Sequence, residues 1–372
     1  FELSKMIRGM VIFLAVAFYL RSERELRIFV GAIACLICYQ GYVALKERVL
    51  YAMERVPGTV DDSNSLSVLL LTTMPVMVAA INSRLPRKLK LLAALAIPAG
   101  CGAMVLTLSR MGISIMALLL VVSTAVMISW KITPKKIVCA FLVLILGSGV
   151  VYKNWAGLKE RFGETNMKEE YGNNRELGRG YYLREARAII EDRFLGVGLN
   201  NWSYWVSEKY GPMLGYKFVK YRGTDVEPSD VIPPGSNVDE AQAAPAHSLA
   251  ALTAGELGIP GLILFTFLWI RWFQMASVFL FKRTPDPLRR IGVGAFFGLS
   301  GIFLQSLTEW VFRHSPIFYT VHILLGVLAS LYYMHRQQRK ALKLRQEGEA
   351  PGVSREYRDE GFPASPPAAH PA

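Results

Sequence analysis

The sequence predicts an all-α polytopic membrane protein with about nine transmembrane helices and one large, mostly helical outer loop between the sixth and seventh. Three observations predict it. Hydrophobic residues make up 52% of the 372, and they gather in runs near the roughly 20 residues that cross about 30 Å of hydrocarbon. Basic residues crowd into the short segments between alternate runs, which is the charge bias of inner loops. Only residues 155–256 read as a water-facing stretch of any length.

Taken in order, the apolar runs place spans near 6–20, 27–45, 65–81, 89–107, 111–130, 137–154, 257–281, 291–310 and 317–334. The first is short and carries Arg8. Segments 21–27, 84–90, 131–136 and 282–290, with the tail from residue 335, hold the clustered basic residues. With nine spans all five fall on one side, the cytoplasmic one by the charge rule. The other side receives 46–64, the turn at Ser109 and Arg110, the 155–256 segment and the turn at 311–316. Residues 1–154 thus form the first six spans, 155–256 the loop region, 257–334 the last three spans, and 335–372 a basic, then Pro- and Ala-rich tail that reads as disordered. The basic part of that tail would meet anionic lipid headgroups. The chain opens on Phe1 rather than Met, which reads as a truncation with helices missing upstream.

Within the loop region a helix is expected over 181–193, with Leu183, Ala186 and Ile190 as its apolar stripe and an Arg187–Glu191 pair at i,i+4. Gly196 and Gly198 stop it.

The formal net charge is +13, from 42 basic and 29 acidic residues. Because the charge sits between apolar runs, it speaks for topology and against nucleic-acid binding. Cys35, Cys38, Cys101 and Cys139 all lie inside apolar runs. They read as small buried hydrophobes rather than a redox or metal pair, and the histidines show no metal-ligand spacing.

The polar residues with chemical potential fall on the outer side. Arg110 follows Ser109 in a turn so short that its charge is held at the membrane boundary, where it needs water, a partner or an anionic ligand; a snorkelling helix-end arginine is the plain alternative. Asp62 and Asn64 precede the third span, as substrate contacts or as a turn with Ser63 or Asn64 capping the helix. Arg175, Arg179, Arg184 and Arg187 cluster before a Gly-Val-Gly at 196–198; guanidinium forks suit phosphate, although an exposed helix face carries arginines too. His247 stands just before the seventh span, where an imidazole can take a proton near neutral pH or merely end a helix. Glu309, Trp310, Arg313 and His314 cluster beyond the eighth span, lining the same cavity or anchoring the interface. Tyr204, Trp205, Tyr210, Tyr216 and Tyr221 offer either sugar-stacking faces or interface anchors. Ser300 and His322 suggest an intramembrane protease, but their depths differ by several ångströms, too much for a nucleophile and its base.

These motifs, in this order, resemble the O-antigen ligase/polymerase superfamily (WaaL/Wzy-type). The resemblance rests on Gly58, Asp62 and Asn64 before a span; Ser109, Arg110 and Gly112 opening one; Arg179 and Tyr182 ahead of Gly196 and Gly198; and Ala246 and His247 followed by Glu256, Gly258 and Gly261. It covers roughly residues 20 to 330. Two departures are Ser248, where the family usually has Asn, and Arg193 and Phe194, where it usually has Pro.

The resemblance implies a multi-pass protein of the bacterial inner membrane whose loop and active site face the periplasm. It implies transfer of a glycan from an undecaprenyl diphosphate carrier to lipid A-core (ligase) or to another carrier-linked glycan (polymerase), with inversion and with no metal or other cofactor. On that reading His247 is the base, Arg110 and Arg179 meet the diphosphate, and Arg184, Asn64, Asp62, Ser109, Glu309 and Arg313 bind substrate. A non-catalytic transporter of lipid-linked glycans is the second reading. It would need charges along a path to the inner side, and the inner halves of the spans are almost wholly apolar.

Overall fold

The helices begin and end where local chemistry dictates. A computed structural model describes residues 2–60, 62–127, 149, 152–163, 179–215, 245–281 and 288–348. Helix α1 spans Glu2–Tyr19 and α2 spans Glu23–Leu50. Ser22 starts α2 through a reciprocal capping box with Glu25, which satisfies two backbone donors that a helix start leaves open. Helices α3 (Ser63–Asn82), α4 (Arg87–Leu106) and α5 (Arg110–Met127) follow. Then come α6 (Trp155–Gly163), α7 (Arg179–Asp192), a set of short helical turns from Trp202 to Met213, α8 (Leu249–Ser277), α9 (Leu288–Ser306) and α10 (Ser315–Gly348). Among the described residues every element is helical.

Among the described residues six helices are long and apolar enough to cross a membrane: α2, α3, α4, α5, α8 and α10. Helices α1 and α9 occupy the first and eighth expected spans but fall short of that apolarity. Glu2, Lys5 and Arg8 dilute α1, and Arg289, Arg290 and Gln305 dilute α9. The expected span over 137–154 lies largely outside the described residues, as do much of the outer loop and the end of the tail.

Residues Phe1–Tyr332 form one compact unit, and Tyr333–Ala372 a second in which α10 continues as helix to Gly348. Within the first unit α3 is the hub. Nearly every residue of α3 is buried, and it packs against α9, α4, α5 and α2. Glycines let α9 lie on it. A Cβ at Gly298 would stand 2.5 Å from the Thr72 carbonyl oxygen, and one at Gly294 would stand 2.9 Å from the Val76 Cα. Small residues allow this close backbone approach, which is how helices gain packing energy in a membrane. Helix α1 meets α10 in the same way, with Gly9 against Phe318 and Gly326 against Phe13 and Val16.

The alternation of helix directions brings the end of α2, the start of α3, the end of α4 and the starts of α5, α8 and α10 to one end of this unit. The bonds joining His247, Glu309, Asn64 and Arg55 lie there. The basic segments around Arg24 and Lys88 begin α2 and α4 at the opposite end.

A separate small core lies beside α8, built from Ala186, Ile189, Val197, Trp202, Val206, Tyr210, Ala246, Ala251 and Leu252. It docks α7 on the start of α8. The expected stripe on α7 needs correction. Leu183 points outward with 55% exposure, while Tyr181, Glu185, Ala186 and Ile189 are buried. A glutamate on the buried face is what hides this stripe from a pattern of apolar residues. The expected Arg187–Glu191 pair forms at 2.7 Å on the exposed face.

Candidate active site

The two glycine motifs make a single backbone joint. Val197 N–H donates to the Gly255 carbonyl (2.9 Å), Gly198 N–H to the Glu256 carbonyl (2.9 Å), and Ile259 N–H to the Phe194 carbonyl (3.1 Å). Gly258 interrupts α8 with φ 67° and ψ −168°, a conformation that is essentially glycine-only. A Cβ there would stand 2.1 Å from the Phe194 oxygen, and one at Gly196 would stand 2.5 Å from the Glu256 oxygen. The joint holds α7 against α8 and fixes the loop that carries His247.

Ala246 is fully buried in the small core, and Ser248 caps α8 by accepting from Ala251 N–H (3.4 Å). His247 is held between these anchors and turned toward the α9–α10 turn. Its Nδ1 lies 3.0 Å from Glu309 Oε2. Its ring packs against Trp310 (centroids 5.0 Å apart) and Tyr182 of α7 (5.6 Å). The imidazole is about one-third exposed, whereas Glu309 is almost fully buried. A buried carboxylate needs partners on both oxygens. The second oxygen, Oε1, accepts from Asn64 Nδ2 at 3.0 Å. Asn64 is therefore brought to the site across 245 residues of sequence. Its own Oδ1 accepts from Arg55 Nη2 at 3.1 Å.

Asp62 does something else. Its Oδ2 accepts from Ser65 N–H at 2.9 Å, capping α3. The expected cap was Ser63 or Asn64; because Asp62 takes that task, the Asn64 amide is available to Glu309. The loop ahead of Asp62 is clasped by α2. Gln40 bonds both Thr59 N–H and its hydroxyl, and Glu47 accepts from Gly58 N–H at 2.9 Å. Gly58 is in the left-handed region with φ 62°, where a Cβ would also strike the Gln40 side chain.

The Ser109–Arg110 turn sits at the same end. Leu108 adopts φ 50°, a left-handed conformation that costs a non-glycine residue about 1–2 kcal/mol. Ser109 is buried, and its Oγ lies 3.5 Å from Ser67 Oγ, while Ser67 Oγ donates to the Asn64 carbonyl at 2.6 Å. Gly112 permits that approach, since a Cβ there would meet Ser67 Cβ at 2.7 Å. Arg110, half-buried, is the first residue of α5. Arg179 is the first residue of α7, and Arg184 is half-buried on the same helix; Arg175 lies outside the described residues.

Arg313 is bonded within the protein. Its guanidinium donates to Glu256 and to Asn200, its carbonyl accepts from Lys5 Nζ at 3.1 Å, and Glu2 stands 3.9 Å away. It ties the α9–α10 turn to α8 and α1. Tyr210 is likewise spent. It is fully buried and its hydroxyl donates to Asp192 at 2.7 Å. Trp205 lies beneath the Arg193 guanidinium at 3.9 Å. Tyr204 is exposed, and Tyr216 and Tyr221 lie outside the described residues. Ser300 and His322 each bond a carbonyl of their own helix, those of Phe296 and Phe318, so they form no catalytic pair. Among the described residues no group of three His, Cys, Asp or Glu side chains could hold a metal ion.

Sequence reasoning missed Arg55. Its one signal was a basic residue in an outer segment, against the charge bias that orients the chain.

A helical, multi-pass membrane protein with a histidine–carboxylate pair prepared at one end is the class these features define. Residues 91–266, from α4 into α8, match the family model for O-antigen ligase. The match supports a place for the chain in the O-antigen ligase/polymerase superfamily, whose members are glycan-transferring enzymes that act on lipid-linked substrates. The matched stretch includes Ser109, Arg110, Arg179, Arg184 and His247, and leaves out Asn64, Glu309 and Arg313. No curated protein matches the chain.

Proposed function

We propose that the protein is an O-antigen ligase-type glycosyltransferase of the bacterial inner membrane. It moves a glycan from undecaprenyl diphosphate to an acceptor sugar, lipid A-core in the first instance, at the periplasmic face. The observation that carries this reading is the His247–Glu309 pair at 3.0 Å, set between two aromatic rings at the end of the helices opposite the basic segments.

The carrier's diphosphate lies at the membrane surface, so the reacting bond is presented where His247 and Arg110 stand. An acceptor hydroxyl gives its proton to the imidazole as its oxygen attacks the anomeric carbon from the face opposite the diphosphate. The carbon–oxygen bond to the diphosphate breaks, the diphosphate leaves with the electron pair, and configuration inverts. Arg110 and Arg179, assisted by Arg184, stabilise the charge that develops on the leaving group. Asn64, Asp62, Ser109 and Arg313 border the substrate rather than react with it. Ser248 does for helix α8 what a side-chain oxygen at that position can do by capping alone, so the chemistry does not depend on Asn there.

The test is a transfer assay on protein reconstituted with undecaprenyl-diphosphate glycan and lipid A-core. A single capped product is expected. A ladder of lengths without added acceptor would assign the polymerase activity of the same superfamily instead. His247→Ala and Arg110→Ala are each expected to lower transfer by at least about 100-fold with membrane insertion unchanged. Normal transfer by His247→Ala would remove the base role.

A further inference from the structure

We infer that Arg55, acting through Asn64 and Glu309, orients His247 so that Nε2 is the nitrogen that accepts the proton. The inference rests on the catalytic reading above for its consequence, but not for its geometry.

Four side chains stand in one hydrogen-bonded line: Arg55 Nη2 to Asn64 Oδ1 at 3.1 Å, Asn64 Nδ2 to Glu309 Oε1 at 3.0 Å, and Glu309 Oε2 to His247 Nδ1 at 3.0 Å. The line has a direction because its first member can only donate. A guanidinium has no acceptor, so Asn64 must turn its carbonyl oxygen to Arg55. Its NH₂ group then faces Glu309 and donates to Oε1. With Glu309 present as a carboxylate, Oε2 also accepts, and the hydrogen between it and His247 belongs to Nδ1. The lone pair is left on Nε2, the nitrogen on the far side of the ring. A histidine alone has two neutral tautomers; here the Glu309 carboxylate chooses between them, and Arg55 fixes the Asn64 amide that holds that carboxylate in place.

Arg55 is itself fixed at its other face. Its Nε donates to the Thr107 carbonyl at 3.2 Å, at the C-terminus of α4, where the helix dipole favours a positive charge. Val56 N–H donates to the Leu106 carbonyl at 3.2 Å beside it. The loop between α2 and α3 is thereby fastened to the turn that precedes Ser109 and Arg110. Glu309 is a positioning residue one step from His247, and Arg55 a positioning residue three steps away.

Nitrogen-15 histidine spectra of the full chain in lipid nanodiscs read the tautomer directly, with the His247 signal identified by its loss in His247→Gln. Wild type is expected to show Nδ1–H with an unprotonated Nε2. Arg55→Lys, which also can only donate, is expected to keep that state. Arg55→Gln and Glu309→Gln can point either way and are expected to give a mixture. In the transfer assay, kcat is expected to fall about 100-fold in Glu309→Gln and about tenfold in Arg55→Gln, with recovery in Arg55→Lys and the donor KM within about twofold throughout. Asn64→Ala gives a further break in the line if Glu309→Gln fails to fold. An unchanged tautomer and unchanged kcat in Arg55→Gln and Asn64→Ala would overturn the inference. If His247→Ala still transfers glycan, the catalytic reading fails, and the spectra alone then decide the line.

Discussion

Helices α3 and α7 both feed the site, and they are held in place by different means. Helix α3 is enclosed on nearly all sides, and glycines of α9 bring a second backbone against it. Its position follows from apolar packing, so Asn64 at its start is placed by the whole bundle. Helix α7 has an exposed face and is held by a three-bond backbone joint, three positive-φ glycines and a small core. His247 and Tyr182 therefore depend on a local seam, whereas Asn64 and Glu309 depend on a broad one. Two modes of support converge on one hydrogen bond, that of His247 with Glu309.

That contrast can be broken at either side. The largest effect is expected from Gly258→Ala, which forces a Cβ into the Phe194 oxygen and into a backbone region closed to alanine. A cost of roughly 3 kcal/mol or more is expected at the joint. Limited proteolysis should then cut near residues 193–198 while circular dichroism shows the long helices intact, and transfer should be lost. Gly298→Val acts on the other seam, against the Thr72 carbonyl. It should lower stability by about 1–3 kcal/mol, seen as a lower melting temperature in detergent with no new cleavage near α7.

A smaller effect sharpens the comparison through pH. Burial in the face of α7 raises the Glu185 carboxyl from 4.5 to about 8, against the opposing influence of Tyr181 and Arg184. Between those values the folded state keeps a proton that the unfolded chain releases, so the folded state loses stability as pH rises through that window and levels off above it. Melting curves from pH 5 to 9 should show this decline in wild type, and Glu185→Gln should flatten it. An equal slope in both proteins would place the pH dependence elsewhere.

Much of this was legible in the sequence because hydropathy and charge act locally. Apolar runs marked the six helices long and apolar enough to span a membrane, the basic segments at 21–27 and 84–90 lead into helices at one end, and the glycines at 196, 198 and 258 fall where the backbone takes positive φ. The site was half legible. His247 and Glu309 were each recognisable as polar groups at helix ends, but nothing in their own segments says that they meet. Asn64 and Asp62 were indistinguishable until the helix start showed which one caps it. Glu185 broke the expected stripe because a buried acid looks like a surface residue in a pattern. Arg313 and Tyr210 resembled ligand contacts, and each also bonds a carboxylate of the protein, Arg313 the buried Glu256 and Tyr210 the exposed Asp192.

The bond between Asn64 and Glu309 spans 245 residues. At synthesis rates of about 5–20 residues per second, Asn64 enters the membrane ten seconds or more before Glu309 is made. His247 follows Asn64 late in that interval, and from then until Glu309 is made the nascent protein holds its histidine and its arginines without the carboxylate that joins them. A chain terminated before Glu309 therefore cannot assemble the pair, and the pocket is finished only after α9 has been made.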